Sequence, residues 1–486
     1  MKIMYHSTRN ENITATASEA ILNGIAPDGG LYVPDQIPKL KVSFEALAKM
    51  DYAHVAYEVM KLFFTDFTED ELMACIKGAY NTEKFDDEDI TKLVEADGAY
   101  YLELFHGRTI AFKDMALSIL PYLMTTSAKK CGAKEEIVIL TATSGDTGKA
   151  ALAGFADVPG TSIVVFYPKH GVSRVQEKQM VTQKGKNVNV IGIEGNFDDA
   201  QSAVKAIFTD KKLAERMKAK GYRFSSANSI NIGRLIPQVA YYVYAFSRLY
   251  PKQINFVVPT GNFGNILAAY YAYKMGVPVN KLICASNKNK VLTDFFETGV
   301  YDKNREFYLT SSPSMDILIS SNLERLIYEI AGDKTADFMK DLKEKGKYKL
   351  TKEMKEKLGI FKGGYAEDNE MSEAIAELYK KEGYIIDTHT AVATAVYNRY
   401  RNETGDETCT VIASTASPYK FSRAVLNSIS PEYDKKDDFE LFEDLHKLSG
   451  VEIPEAIKDI ISAPVLHKTV CAKDGLEAEV VKIYNL

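Results

Sequence analysis

Nowhere in the 486 residues does an apolar run reach the roughly 18 residues that a membrane-spanning helix needs, so no membrane segment is expected. The stretch MKIMYHSTRNENITATASEA is polar and has no apolar core of a secretory signal, which predicts a cytoplasmic protein. Basic charge is not in excess. With 60 Lys and Arg against 66 Asp and Glu the net charge is −6, which argues against a nucleic-acid-binding face and for a small-molecule partner. Cysteine is sparse: Cys75, Cys131, Cys284, Cys409 and Cys471 lie far apart and form no C-x-x-C pair. Only His106 and His389, of seven histidines, sit in motif-like segments, and neither has a partner at metal-ligand spacing. No metal site is expected, and the thiols read as small buried hydrophobes. Internal repeats and low-complexity tracts are missing too.

What is present is an ordinary globular composition, 46% hydrophobic, long enough for two or three domains. From about Phe44 to Ala96 the chain is acidic and helix-periodic, with no run that reads as a buried strand. This predicts a small, mainly helical N-terminal domain over residues 1–97. From IVILTA (Ile137 to Ala142) short apolar runs alternate with amphipathic helices through SIVVFYP, SRVQEKQMVTQKG, VNVIGIEG and DDAQSAVKAIF. Such alternation marks βαβ units on a parallel sheet. A second series follows with INFVVPTG, a helix from about Asn265 to Met275, KLICASN and TVIASTAS. The economical arrangement is two doubly wound α/β domains, one over 137–251 and a larger one over 98–136 and 252–486. A Lys/Glu-rich stretch near 333–382 reads as a solvated helical insertion without buried strands.

Three polar segments and one lysine carry the chemistry. TATSGDTGKA (Thr141 to Ala150) follows a strand and opens a helix, where open α/β sheets bind ligands. It nearly imitates a P-loop, but Thr143 stands where glycine is needed and Ala150 where the magnesium-binding hydroxyl should be, which disfavours a nucleotide triphosphate. A plain helix-entry turn is the bland alternative. PTGNFGN (Pro259 to Asn265) also runs from strand to helix, and its backbone N–H groups suit a phosphate without any basic side chain. It is not the G-x-G-x-x-G of a dinucleotide fold. In SSANSINIGRLIPQ (Ser225 to Gln238) Arg234 would clamp a carboxylate or phosphate, or else be a solvated residue on a capped helix. In HGRTIAFKDMALSILP (His106 to Pro121) Lys113 is flanked by apolar residues. Burial would depress its pKa and free its amine as a nucleophile or base, whereas pairing with Asp114 would leave it ordinary. A candidate amine together with a neutral phosphate cradle is what pyridoxal phosphate requires.

On these residues the chain resembles the threonine synthase family, fold-type II pyridoxal-phosphate enzymes of the tryptophan synthase β-like class. The resemblance runs from STRN…AILNGIAPDGGLYVP through HGRTIAFKD, TATSGDTG, NSINIGRLIPQ, VPTGNFGN and SPSMDILISSNLERL to THTAVA, in the family's order. It implies conversion of O-phospho-L-homoserine and water to L-threonine and phosphate, with pyridoxal 5'-phosphate held on Lys113 through a Schiff base. By position, Gly261, Asn262, Phe263, Gly264 and Asn265 would hold the cofactor phosphate, and Thr415 would meet the pyridine nitrogen. Ser144, Gly145, Asp146 and Thr147 would face the substrate carboxylate and the ring oxygen, with Asp146 turned aside or bonded to a neighbour to avoid repulsion while backbone N–H and hydroxyl donors do the binding. Ser229, Asn231, Arg234 and Lys169 would take the departing phosphate. Two departures stand out: Arg108 replaces the family's proline in HGP, and Ser417 replaces the histidine of TAHP. The alternatives are a phospholyase that releases 2-oxobutyrate, a catalytically silent ligand-binding member, and a nucleotide-dependent kinase. A monomer or homodimer is expected.

Overall fold

The structure is a computed structural model and describes residues 2–143, 145–172 and 174–486. Two sheets organise it. In the larger, six strands lie in the order Phe361–Tyr365, Val279–Ser286, Ile254–Pro259, Cys409–Ser414, Ala99–Glu103 and Lys92–Ala96. All neighbours are parallel except the last pair. In the smaller, five parallel strands run Val470–Ala472, Val188–Glu194, Thr161–Pro168, Glu136–Ala142 and Tyr222–Ser225. The central strands read as near-continuous apolar runs because helices cover both faces: Ile254–Pro259 and Thr161–Pro168 are buried at every position.

Strand order explains where a ligand can sit. Chain-consecutive strands flank Ile254–Pro259 on one side only, the other neighbour being Cys409–Ser414, so its carboxyl end is a topological switch point. Glu136–Ala142 lies in the same way between Thr161–Pro168 and Tyr222–Ser225. The two glycine turns of the sequence sit at these two ends.

The N-terminal part combines the helices Ala17–Asn23, Phe44–Leu47, Tyr52–Met60 and Glu69–Ala79 with a three-stranded antiparallel sheet of Tyr5–Ser7, Asn10–Ala15 and Tyr32–Pro34. Capping boxes at Thr16/Glu19 and Thr68/Glu71 start two of these helices. The structure differs from the sequence reading at four places. Lys92–Ala96, inside the stretch expected to lack strands, forms an edge strand in which only Ala96 is buried, so no long apolar run marks it. The insertion near 333–382 is not purely helical: Phe361–Tyr365 extends the larger sheet. Its sequence FKGGY lacks β-branched residues for a packing reason, since a Cβ on Gly364 would lie 2.5 Å from Val396 Cγ1 and one on Gly363 2.9 Å from Thr293 Cα. Val470–Ala472 joins the smaller sheet, and Leu476–Tyr484 packs beside it with the Tyr484 hydroxyl 2.7 Å from Ser162 Oγ, although residues up to 486 read as part of the larger unit. Ile232–Leu249, assigned by sequence to the smaller unit, is buried almost all round and packs on Gly264–Met275, Tyr52–Met60 and Lys113–Leu117.

Candidate active site

Lys113 owes its position to two adjacent parallel strands. Beyond the paired strands Ala99–Glu103 and Cys409–Ser414 the chains stay stitched together. Leu104 N–H donates to Ser414 O, Phe112 N–H to Thr415 O (2.8 Å) and Ser417 N–H to Ile110 O (3.0 Å). Between them Ile110 holds φ at +53°, the left-handed region that a β-branched residue rarely occupies, as happens where a site over-determines its backbone. Lys113 then opens the helix Lys113–Leu117 with its side chain only 12% exposed. Its Nζ donates to Ser314 Oγ at 3.3 Å and lies 3.6 Å from Asp146 Oδ2. Burial lowers its pKa, Asp146 opposes that, and the nearby cations Lys420 and Arg234 push it down further.

Asp146 begins the helix Asp146–Phe155 at the end of Glu136–Ala142. Thr143 Oγ1 accepts from the N–H groups of Gly145 (2.9 Å) and Gly148 (3.0 Å), which fixes the turn. Gly145 has φ of +140°, and a Cβ there would lie 2.4 Å from Gln176 Nε2. The Asp146 carboxylate is divided between two sets of partners. Oδ1 meets Lys420 Nζ at 3.3 Å and accepts from Gln176 Nε2 at 3.2 Å, while Oδ2 accepts from Ser314 Oγ at 3.1 Å and faces Lys113. Burial alone would raise the Asp146 pKa, but the charges of Lys420 and Lys113 outweigh it and hold the group well below the usual carboxylate range.

The second glycine turn makes an anion cradle. Phe263, at φ +65°, turns the chain into the helix Gly264–Met275. Among the described residues, no backbone N–H from Gly261 to Asn265 donates within the chain. Successive free N–H groups around a left-handed residue at a helix start form a concavity for a negative group. Asn265 adds to it. Tyr241 and Tyr242 hydroxyls both donate to its Oδ1, at 2.5 and 2.6 Å, which turns its Nδ2 the other way, buried and without a partner. Gly261 has no room for a side chain, since a Cβ would lie 2.4 Å from Ser314 O. The segment carrying Ser314 is tied over the turn by Ser320 Oγ to Gly261 O (2.7 Å) and Asn322 N–H to Asn262 O (3.0 Å). Arg325, fully buried, anchors that segment to Tyr32 O and Ile230 O, which gives the N-terminal and SNLERL blocks a shared structural task.

Two further groups complete the wall. His389 Nε2 accepts from Ser314 N–H at 3.2 Å, so the ring proton lies on Nδ1, which donates to Asp387 Oδ2 at 2.8 Å. Among the described residues, buried Arg234 makes one hydrogen bond, Nη1 to Ala227 O (3.1 Å), and its Nε has no partner. Burial pushes its pKa down to about 10. The set Lys113, Lys420 and Arg234 against Asp146 leaves positive charge in excess.

One pocket gathers Lys113, Asp146, Thr147, Ser229, Arg234, Gly261, Asn262, Phe263, Gly264, Asn265 and Thr415. Ser144 lies outside the described residues, and Gly145 backs the loop against Gln176. Two expected phosphate ligands are not brought there. Asn231 spends its side chain on the scaffold, accepting from Gly233 N–H and donating to Ile21 O and Ser226 O. Lys169 faces a separate surface cleft, 40% exposed and 3.6 Å from Glu194. Arg108 points away too: it is exposed and donates to Glu83 O. Ser417 is a local cap, its Oγ accepting from Tyr419 N–H. Sequence reading assigned no role to Ser314, His389 or Lys420. The first two lie in recognised blocks, and Lys420 follows Thr415 in TASPYKF, the only signal that would have found it.

Comparison with known proteins agrees with this geometry. The family model "Pyridoxal-phosphate dependent enzyme" matches residues 78–415, "Threonine synthase N terminus" matches 4–80 and "Threonine synthase, C-terminal" matches 390–469. Threonine synthase of Saccharomyces cerevisiae is 35% identical over 99% of this chain and 98% of its own, and that of Pseudomonas aeruginosa 37% over 87% and 89%. The solved structure of PLP-bound threonine synthase from Brucella melitensis superposes with a TM-score of 0.88 at 34% identity, covering 99% of both chains. The chain belongs to the threonine synthase family of fold-type II, pyridoxal-phosphate-dependent enzymes.

Proposed function

We propose that this pocket converts O-phospho-L-homoserine and water to L-threonine and phosphate, with pyridoxal phosphate bound at Lys113. The observation that carries the reading is a buried amine flanked by two separate anion sites, each with an orphaned donor: Asn265 Nδ2 beside the free N–H groups of 261–265, and Arg234 Nε. Cofactor and substrate each bring one phosphate, so the residues fit both. The 261–265 cradle takes the cofactor phosphate, because it offers hydrogen bonds from a helix start and no mobile charge. Arg234, with Ser229 beside it, takes the substrate phosphate and holds it as it leaves.

When bound, the cofactor supplies an electron sink for negative charge developing on substrate carbon. The rest falls to the chain. Lys113, its amine pKa lowered by burial, takes the proton from Cα. The N–H groups at the start of Asp146–Phe155 and the Thr147 hydroxyl orient the substrate carboxylate, and Asp146 does not repel it because its oxygens are committed to Lys420, Lys113, Ser314 and Gln176. Thr415, its backbone bonded to Phe112 and Thr390, offers a neutral hydroxyl to the ring nitrogen. A cytoplasmic site of action belongs to the same proposal, supported by five free thiols, which suit a reducing compartment. No helix among the described residues is long and apolar enough to cross a membrane.

The test is product analysis. Incubating the cofactor-loaded protein with O-phospho-L-homoserine is expected to yield threonine and phosphate in equal amounts. Phosphate with 2-oxobutyrate in place of threonine would assign the phospholyase reaction and overturn the proposal.

A further inference from the structure

We propose that Lys420 is a positioning residue, the standing counter-ion of Asp146, whose presence leaves the Lys113 amine free to engage a carbonyl. The inference rests on the reading of Lys113 as the cofactor lysine.

Lys420 sits in the short turn Pro418–Phe421 that follows the central strand Cys409–Ser414. Its side chain is 3% exposed and absent from the pocket lining, so it acts through neighbours and not on substrate. Among the described residues Nζ makes two polar contacts, 3.3 Å to Asp146 Oδ1 and a 3.0 Å hydrogen bond to Thr109 O. The first reaches across to the helix start of the smaller sheet. The second clasps the loop that leads through Ile110 to Lys113, and Thr109 in turn donates its N–H and hydroxyl to Asp114. One ammonium thereby fixes both sides of the site.

The need for it follows from the chemistry of the other partner. A buried carboxylate requires a compensating positive group, and Asp146 has two ammonium neighbours. Lys113 cannot serve as a lasting one, because an amine that forms a bond to a carbonyl must first be uncharged. The two sit on different carboxylate oxygens, so Lys113 can leave its contact while Lys420 and Gln176 keep Oδ1 in place. The groups that face this trio are Arg234 toward Lys113, His389 toward Asp146, and Asp114 and Lys149 toward Lys420. Among the described residues, none of these four makes a hydrogen bond or ion pair with Asp146 that would replace the Lys420 ammonium.

Removing Lys420 leaves Lys113 as the nearest cation for Asp146 and also removes a like charge beside Lys113. Both effects favour the protonated amine. The experiment is competitive labelling of Lys113 with trace acetic anhydride from pH 6 to 10, on full-length protein freed of cofactor, with the peptide quantified by mass spectrometry. In Lys420→Met the labelling midpoint is expected to move up by about one pH unit, the usual size for loss of a close charge partner, and Lys420→Arg is expected to restore it. Thermal melting of the same proteins is the control for a merely structural role, which would lower stability and leave the midpoint in place. An unmoved midpoint in Lys420→Met, or an Lys420→Arg protein that behaves like it, overturns the proposal. The readout needs neither bound cofactor nor turnover of phosphohomoserine, so it stays interpretable if the proposed reaction proves to be a different elimination.

Discussion

Asn265 is held to a single orientation by two tyrosine hydroxyls that need an acceptor, and its amide nitrogen is thereby aimed where an anion is expected. Asn265→Asp replaces that donor with a carboxylate. Loss of a hydrogen bond to a charged group is worth about 1.5–3 kcal/mol, so cofactor affinity should fall ~10- to 100-fold in an absorbance titration. Unchanged affinity would place the cofactor phosphate elsewhere. Arg234 makes the complementary case. Its buried guanidinium has no carboxylate partner among the described residues, so Arg234→Met relieves an uncompensated charge while destroying an anion site. The cofactor-free variant should melt at the same temperature as wild type or higher, and KM for phosphohomoserine should rise at least about tenfold, the cost of a charge-assisted hydrogen bond. A lower melting temperature with unchanged KM would make Arg234 a structural residue. Lys113, Arg234 and the glycine turns were legible in the sequence because each is a local pattern at a strand end. Lys420 was not, since its partner Thr109 lies 311 positions away and no local spacing encodes that contact.

At the scale of elements, the spacing between Lys113 and Asp146 is set by backbone meeting backbone. A Cβ on Gly154, near the end of the helix that Asp146 begins, would lie 2.2 Å from Leu117 O at the end of the helix that Lys113 begins. Gly154→Ala must therefore push the two helices apart. Overpacking of this kind costs about 1–3 kcal/mol, and the shift should also weaken cofactor binding. Denaturation and cofactor titration of the variant check both, and wild-type values in each would mean that the helices tolerate separation. The strands that carry these helices were readable because burial on both faces writes continuous apolar runs such as SIVVFYP and INFVVP. Phe361–Tyr365 and Val470–Ala472 were not. The first trades β-branched residues for glycines that let helices approach, and the second is three residues long and largely exposed, so neither carries the composition of a buried strand.

At the scale of the molecule, the N-terminal block shares an apolar core with the rest of the fold, and a few ionic clasps add to it. Arg9 holds Glu324 with two hydrogen bonds, and His106 stands between Asp86 (2.7 Å) and Glu103 (2.9 Å), the latter also accepting from Tyr384. Burial would lower the His106 pKa, but the hydrogen bonds and charges of its two carboxylate partners prevail and raise it to about 9. A group whose folded pKa lies above its unfolded value of about 6.5 contributes stability that is complete below pH 6.5 and is lost as pH rises through 9. A shift of that size corresponds to about 3 kcal/mol, and solvent around half-exposed Asp86 reduces the contribution to the order of 1–2 kcal/mol. Lys84 and Lys149, both pushed down to about 8 chiefly by burial, give the opposite slope, because the unfolded chain binds more protons than they do in the fold. The raw pH dependence therefore mixes the two signs, and the informative quantity is a difference. Between wild type and His106→Gln the gap in unfolding free energy should be constant below about pH 6, narrow between pH 6.5 and 9, and vanish above it. A gap that stays level across that window would mean that His106 joins the two parts as a neutral hydrogen-bonding ring and not as a cation.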